Sequence, residues 1–304
     1  MHYPNSKIYS DGSHYIAIPH TEMIKKTPRF YPEKYYLVSD EDAEYFPLGE
    51  LEVTEKDLFN AFYRASFSCK SKDRRNYIIK KMQPYTKART ENAVDEHLDR
   101  VHRNIINRRV RLSRKINLCG FNYFVTLTYD SKKVCEVDFK KQAKKALENF
   151  STRHSWKYAS VWERGAETDR LHLHGLFKIP EGTMPGLLVQ VKDYSLKTHK
   201  LQTINQNTYF FERFGRCDFD FIDDATKKTE AVSYMCKYLE KTGERLCYSR
   251  GLPEYFYSDI LEDDVVCRVG VGERKLLLYD DFNIIDDGEY IGIAREAFNL
   301  VNTI

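Results

Sequence analysis

The sequence has 304 residues, of which 42% are apolar and 31% charged, with a net charge of +3; this balance excludes a disordered chain and a membrane-embedded one. No apolar run approaches the roughly 20 residues of a membrane span, and Met1 to Ser10 lack the apolar core of a secretory leader, so the expected location is the cytoplasm. Seven cysteines, at 69, 119, 135, 217, 236, 247 and 267, include no Cys-x-x-Cys pair, which argues against a zinc ribbon or a disulfide framework and for reduced thiols.

The first 65 residues are acidic and aromatic, and Thr54-Glu-Lys-Asp57 forms a capping-box-like start for a short helix carrying Leu58, Phe59 and Phe62. From Thr90 a longer amphipathic helix is predicted, with Val94, Leu98, Val101, Ile105 and Leu112 on its apolar stripe. Its other faces carry Arg100, Arg103, Arg108, Arg109, Arg111 and Arg114. Between Lys70 and Lys115 stand fifteen Lys and Arg against five Asp and Glu, leaving the rest of the chain at −7. Such a stripe suits contact with a phosphate backbone, through release of condensed counterions, and equally a solvated helix face.

Asn122 to Tyr129 is rich in β-branched and aromatic residues and is predicted to be a strand. Asp138 is expected to cap a helix running through Phe150, with Phe139, Ala143, Ala146, Leu147 and Phe150 facing a core. Lys157–Glu163 and Leu171–Phe177 follow as a hairpin across a polar turn, and Phe219–Ile222 as a short strand. Asp224 then opens a helix that Gly243 closes. The pattern predicts an α+β fold, an antiparallel β-sheet flanked by helices with a helical, basic region before it. No repeat or linker marks a boundary; the expected divisions are 1–115, 116–250 and 251–304. The segment after Cys247 mixes short strands with acidic turns.

Leu171-His172-Leu173-His174 alternates apolar side chains with imidazoles, so in a strand both histidines project from one face, about 7 Å apart. With Glu163 at the end of the preceding strand they form a mixed imidazole and carboxylate set that suits Mn²⁺ or Mg²⁺ with open water positions, not a closed zinc site. Alone, the His-x-His pattern also fits two histidines resting on a half-exposed sheet face. In the helix from Asp224, Val232, Met235, Cys236 and Leu239 make the apolar stripe, while Tyr234, Lys237, Tyr238 and Lys241 share the opposite face. A phenol of pKa about 10 is a poor nucleophile unless cations or a base stand near it, and two lysines one turn away plus a metal supply that setting. Incidental tyrosines on an exposed helix are the plainer alternative.

Together these segments resemble the HUH endonuclease superfamily, specifically the rolling-circle replication initiators of bacteriophages and plasmids. Phe124-Val-Thr-Leu-Thr-Tyr-Asp130 resembles its first motif, Leu171-His-Leu-His-Gly-Leu-Phe177 its second, and Tyr234-x-x-Lys237-Tyr238-x-x-Lys241 its third; the likeness covers about Asn117 to Arg250. It implies a metal-dependent nickase of single-stranded origin DNA, with Mn²⁺ or Mg²⁺ at His172 and His174. A 5′-phosphotyrosine would form at Tyr234 or Tyr238, with Lys237 positioning phosphate or metal. The free 3′-hydroxyl would prime a host polymerase in the bacterial cytoplasm, and since the chain has no Gly-x-x-x-x-Gly-Lys-Ser/Thr loop, unwinding would fall to a host helicase. A relaxase or single-strand transposase would use the same residues on other DNA. A non-catalytic single-strand nucleic-acid binder would use the aromatic sheet and basic helix alone.

Overall fold

A computed structural model describes residues 2–12, 14–20, 34–47, 52–165, 169–195, 199–241, 246–270, 272 and 274–294. Contacts divide the chain into two units, 1–21 with 108–304, and 22–107. In chain order the first elements are β1 (His2–Ser10), β2 (Tyr15–Ile18), β3 (Tyr35–Leu37), β4 (Glu52–Thr54), α1 (Glu55–Ala65), α2 (Arg74–Thr86) and α3 (Thr90–Leu118). Then come β5 (Tyr123–Thr128), α4 (Glu136–His154), β6 (Lys157–Arg164), β7 (Leu171–Lys178), β8 (Leu188–Ser195), β9 (Lys200–Asn207), α5 (Thr208–Arg213), β10 (Cys217–Phe221) and α6 (Ala225–Lys241). The last are β11 (Cys247–Tyr248), β12 (Phe256–Leu261), β13 (Val265–Val269), β14 (Lys275–Leu278), β15 (Asn283–Asp286) and β16 (Glu289–Ile293). The fold is α+β. Among the described residues no helix is long and apolar enough to cross a membrane, and the seven cysteines are unbridged.

In the unit 22–107, α1 starts where the capping box places it. The backbone N–H of Asp57 donates to Thr54 Oγ1 at 3.2 Å, and that of Thr54 donates back to Asp57 Oδ2 at 3.3 Å, satisfying N–H groups that have no helical partner. Leu58, Phe59 and Phe62 are buried together with Ile78 and Met82 of α2 and Val94 of α3. The basic run from Lys70 thus contains a helix of its own, α2, anchored by two apolar residues a turn apart.

Five antiparallel strands in the order β10-β5-β7-β6-β11 form the sheet of the second unit. Alternation along its strands sends Val125, Leu127, Leu171, Leu173 and Trp162 into a core with Phe139, Ala143 and Leu147 of α4. The opposite face contributes Ala159 and Leu176 to a second core with Met235 and Ala231 of α6 and Leu112 and Ile116 from the end of α3. The sheet is therefore covered by helices on both faces. α4 begins two residues before Asp138: the Asp138 N–H donates to Cys135 Sγ, so the thiol takes the capping position usually held by an oxygen, and Ser155 closes the helix in the left-handed region. Asp224 caps α6 as the sequence suggests, its Oδ1 accepting from the Lys227 N–H at 2.7 Å, whereas Gly243 lies outside the described residues.

A hairpin between β7 and α5, made by β8 and β9, runs in unbroken register from Leu188↔Asn207 to Ser195↔Lys200. A second five-stranded sheet, β12-β1-β2-β14-β13, pairs the first ten residues with strands from beyond Cys247, around a core of Ile8, Ala17, Ile260, Leu276 and Phe282.

Candidate active site

Register fixes the site. Glu163 pairs with His172 across β6 and β7, and on the other side of β7 Thr128 pairs with His172 and Thr126 with His174. All five side chains therefore leave the sheet on one face, the face that α6 covers. Each imidazole is oriented from behind by a threonine: Thr128 Oγ1 lies 2.7 Å from His172 Nδ1, and Thr126 Oγ1 lies 3.0 Å from His174 Nδ1. With Nδ1 occupied, both rings turn Nε2 toward the open side.

His174 Nε2 stands 2.9 Å from Glu163 Oε2. A carboxylate only accepts, so this nitrogen carries the proton and Nδ1 accepts from the Thr126 hydroxyl. A hydroxyl can also accept, so the same threonine supports the other tautomer, in which Nε2 offers a lone pair. Burial is the main cause that pushes the pKa of His172 down to about 4, and the neighbouring His174 adds to it, with smaller contributions from Arg216 and Arg170. At neutral pH the His172 imidazole is therefore uncharged, the form that ligates a metal.

Tyr234 reaches this cluster from α6. Its hydroxyl donates to Glu163 Oε2 at 3.5 Å, and its ring stands edge-on to His174 and Phe124, with centroids 5.2 and 5.6 Å apart. Met235, the next residue, is fully buried in the core beneath the helix, and that anchoring turns Tyr234 toward the histidines. Lys237 lies on the exposed side of α6. Tyr238 and Lys241 belong to the same helix, one and two turns beyond Tyr234, but their side chains fall outside the described residues. Glu163, His172, His174 and Tyr234 are thus brought together.

Two imidazoles and a carboxylate are a donor set that fits a divalent cation such as Mn²⁺ or Mg²⁺. Among the described residues no group of three His, Cys, Asp or Glu side chains stands ready to hold an ion. His174 and Glu163 bond each other, so a cation that took both as ligands would replace that bond. The Thr128 hydroxyl matters to the same donor set. Thr128→Val, which keeps the shape and removes the oxygen, is expected to weaken Mn²⁺ affinity by about 10- to 100-fold, measurable by titrating Mn²⁺ against the protein.

The signals that sequence reading missed are the threonine hydroxyls and the guanidinium groups of Arg216 and Arg170. The threonines lie inside the strand motif at Phe124–Asp130, but their role depends on the β5–β7 register. Arg216 is held by Asp193 of the hairpin, its Nη2 donating at 2.6 Å, and this ion pair holds Asp193 below the usual carboxylate range against the opposing effect of burial. Gly175 follows His174 on the opposite face, where an added Cβ would come within 2.9 Å of Ser160 Cβ and 3.0 Å of the Ala159 carbonyl oxygen. Gly175→Ala is therefore expected to destabilise the sheet by about 1–3 kcal/mol, read as a lower thermal midpoint.

The antiparallel sheet thus presents its paired histidines to a helix-borne tyrosine. Residues 122–243, which span β5 to α6 and hold all of these side chains, match the model of a family described as replication-associated protein ORF2. That segment matches a rolling-circle replication initiator family, which indicates a replication-associated protein of the rolling-circle type. No curated protein and no solved structure matches the chain.

Proposed function

We propose that this site nicks single-stranded origin DNA by transesterification, with Tyr234 as the first nucleophile. The observation that carries the reading is the convergence of Tyr234 Oη, Glu163 Oε2 and His174 Nε2, a nucleophile and two potential metal ligands drawn from three elements. Tyr234 Oη attacks the scissile phosphorus in line. The Oη–P bond forms, the bond from phosphorus to the 3′-oxygen breaks, and the phenolic proton leaves along its hydrogen bond to Glu163 Oε2. The departing 3′-oxygen takes a proton from a water that recovers it from Glu163, leaving a 5′-phosphotyrosine, a free 3′-hydroxyl for a host polymerase and the Glu163 carboxylate restored. Mn²⁺ or Mg²⁺, held by His172, His174 and Glu163, would supply Lewis-acid polarisation of the phosphoryl oxygens. Arg216 and Arg170 lie close enough to the imidazoles to help neutralise the charge that develops on the phosphate, and Lys237 borders the helix face over which the strand would run. Tyr238, one turn further along α6, would serve a second transfer, and Lys241 would contact the adjoining backbone.

The test mixes the full chain with labelled single-stranded origin DNA and Mn²⁺. A protein–DNA adduct that survives denaturation supports the reading. Tight binding with no adduct under any divalent metal would leave a single-strand binder in its place.

A further inference from the structure

The far face of the catalytic sheet carries a second feature that the nicking reading does not use. A cleft of about 410 Å³ runs along α4 beside α5. α4 packs on the sheet face that holds Val125, Leu127 and Leu173, whereas His172, His174 and Tyr234 occupy the opposite one. Lys141, Lys145, Asn149 and Arg153 line the cleft at four-residue intervals, so they form one stripe with a step of about 6 Å along the helix axis. Arg213 of α5 adds a fourth cation, against one lining carboxylate, Asp138. Among the described residues Lys141, Lys145 and Arg153 are ion-paired to no carboxylate, while Lys144, one position off the stripe, is paired to Glu148 at 3.9 Å. The positive charges of the stripe are therefore unspent.

An aromatic wall completes the cleft. Tyr209 stands edge-on to Phe150 with centroids 5.8 Å apart, and Arg213 Nη1 donates to its hydroxyl at 2.8 Å, which fixes the ring beside the cations. Cations one and two steps apart along the stripe, with the Asn149 amide between the last two and an oriented aromatic ring at their side, suit binding of single strands without sequence preference: phosphates track the charges and a base stacks on the ring.

We propose that the α4–α5 cleft is a second binding groove for single-stranded DNA, separated by the sheet from the tyrosine site. A strand tethered at Tyr234 would then have a second place on the same domain to lie. The inference shares with the nicking reading only its choice of DNA as ligand.

The experiment measures binding of a fluorescent oligothymidylate of about 16 nucleotides to the full chain in EDTA, over a series of salt concentrations, so that cleavage plays no part. Lys145→Glu with Arg153→Glu is expected to weaken binding at least tenfold and to lower the salt slope by about 1.4, since each phosphate contact on a single strand contributes about 0.7. Tyr209→Ala should weaken it about tenfold with the salt slope unchanged, a signature that loss of charge alone would not give. Both variants should nick a short oligonucleotide confined to the tyrosine site at the wild-type rate. A control reversal at the exposed pair Arg274 and Lys275, which lies outside the cleft, should alter binding by less than twofold. Unchanged affinity and slope in the double variant would overturn the groove, as would an equal loss in the control pair or a preference of the cleft for duplex DNA. Because binding is read without metal, a chain that never nicks can still pass this test, and one that nicks normally can fail it.

Discussion

His172→Ala is expected to reduce nicking by about a hundredfold or more, equivalent to about 3 kcal/mol of transition-state stabilisation, while single-strand binding measured in EDTA stays within about twofold of wild type. The argument rests on what His172 touches. Its Nδ1 is held by Thr128, and burial beside His174 keeps the ring neutral, so the side chain is oriented and in the uncharged form that can ligate a metal. Truncation to alanine removes a donor from a set of three without removing any cation from the surface that would hold the DNA backbone. His174→Ala is the less clean variant, because the His174 ring also stacks on Phe124 at 6.2 Å and packs against Tyr234; its loss would disturb the nucleophile as well as the metal site. A His172 variant that nicks at an undiminished rate would remove the metal assignment, and a loss of binding equal to the loss of nicking would recast the imidazole as a DNA contact.

Features encoded by short-range periodicity were legible before any coordinates. The Thr54–Asp57 box starts α1. Alternation in Leu171-His172-Leu173-His174 puts both imidazoles on one face, and the i, i+3, i+4 pattern around Met235 separates the buried stripe of α6 from Tyr234. Each of those follows from a backbone repeat of two or 3.6 residues. What stayed hidden depends on register between distant segments. Thr126 and Thr128 are ordinary strand residues until β5 pairs with β7, and Arg216 approaches His172 only after β10 joins the same sheet. β1 was unreadable as a strand because its own sequence, His2 to Ser10, is mostly polar, and one of its two partners, β12, lies about 250 positions away. The β8–β9 hairpin escaped because its buried positions, such as Ile204, are outnumbered by exposed apolar ones, Leu188, Val189 and Leu201 among them, so apolarity does not mark an inner face. The thiol cap of Cys135 falls outside the usual Ser, Thr, Asp and Asn preference, which is why the start of α4 was placed at Asp138.

Tyr234→Phe is expected to lower the yield of covalent adduct by about a thousandfold, close to 4 kcal/mol, because it deletes the attacking oxygen at the cost of one long hydrogen bond to Glu163. The ring contacts with His174 and Phe124 survive the change, so thermal stability and Mn²⁺ affinity should remain those of the wild type, and a defect confined to the chemical step separates nucleophile from scaffold. Tyr238→Phe bears on a different step. Four residues advance the helix backbone by about 6 Å, roughly the span of one nucleotide, so positions 234 and 238 suit successive steps rather than the same one. That offset predicts normal first cleavage in Tyr238→Phe but a stalled adduct that cannot be passed to a second strand, visible as accumulation of the denaturation-resistant species on a two-origin substrate. Equal adduct from Tyr234→Phe and wild type, with complete loss in Tyr238→Phe, would transfer the first attack to Tyr238 and leave Tyr234 as the residue that holds Glu163 and His174 in place.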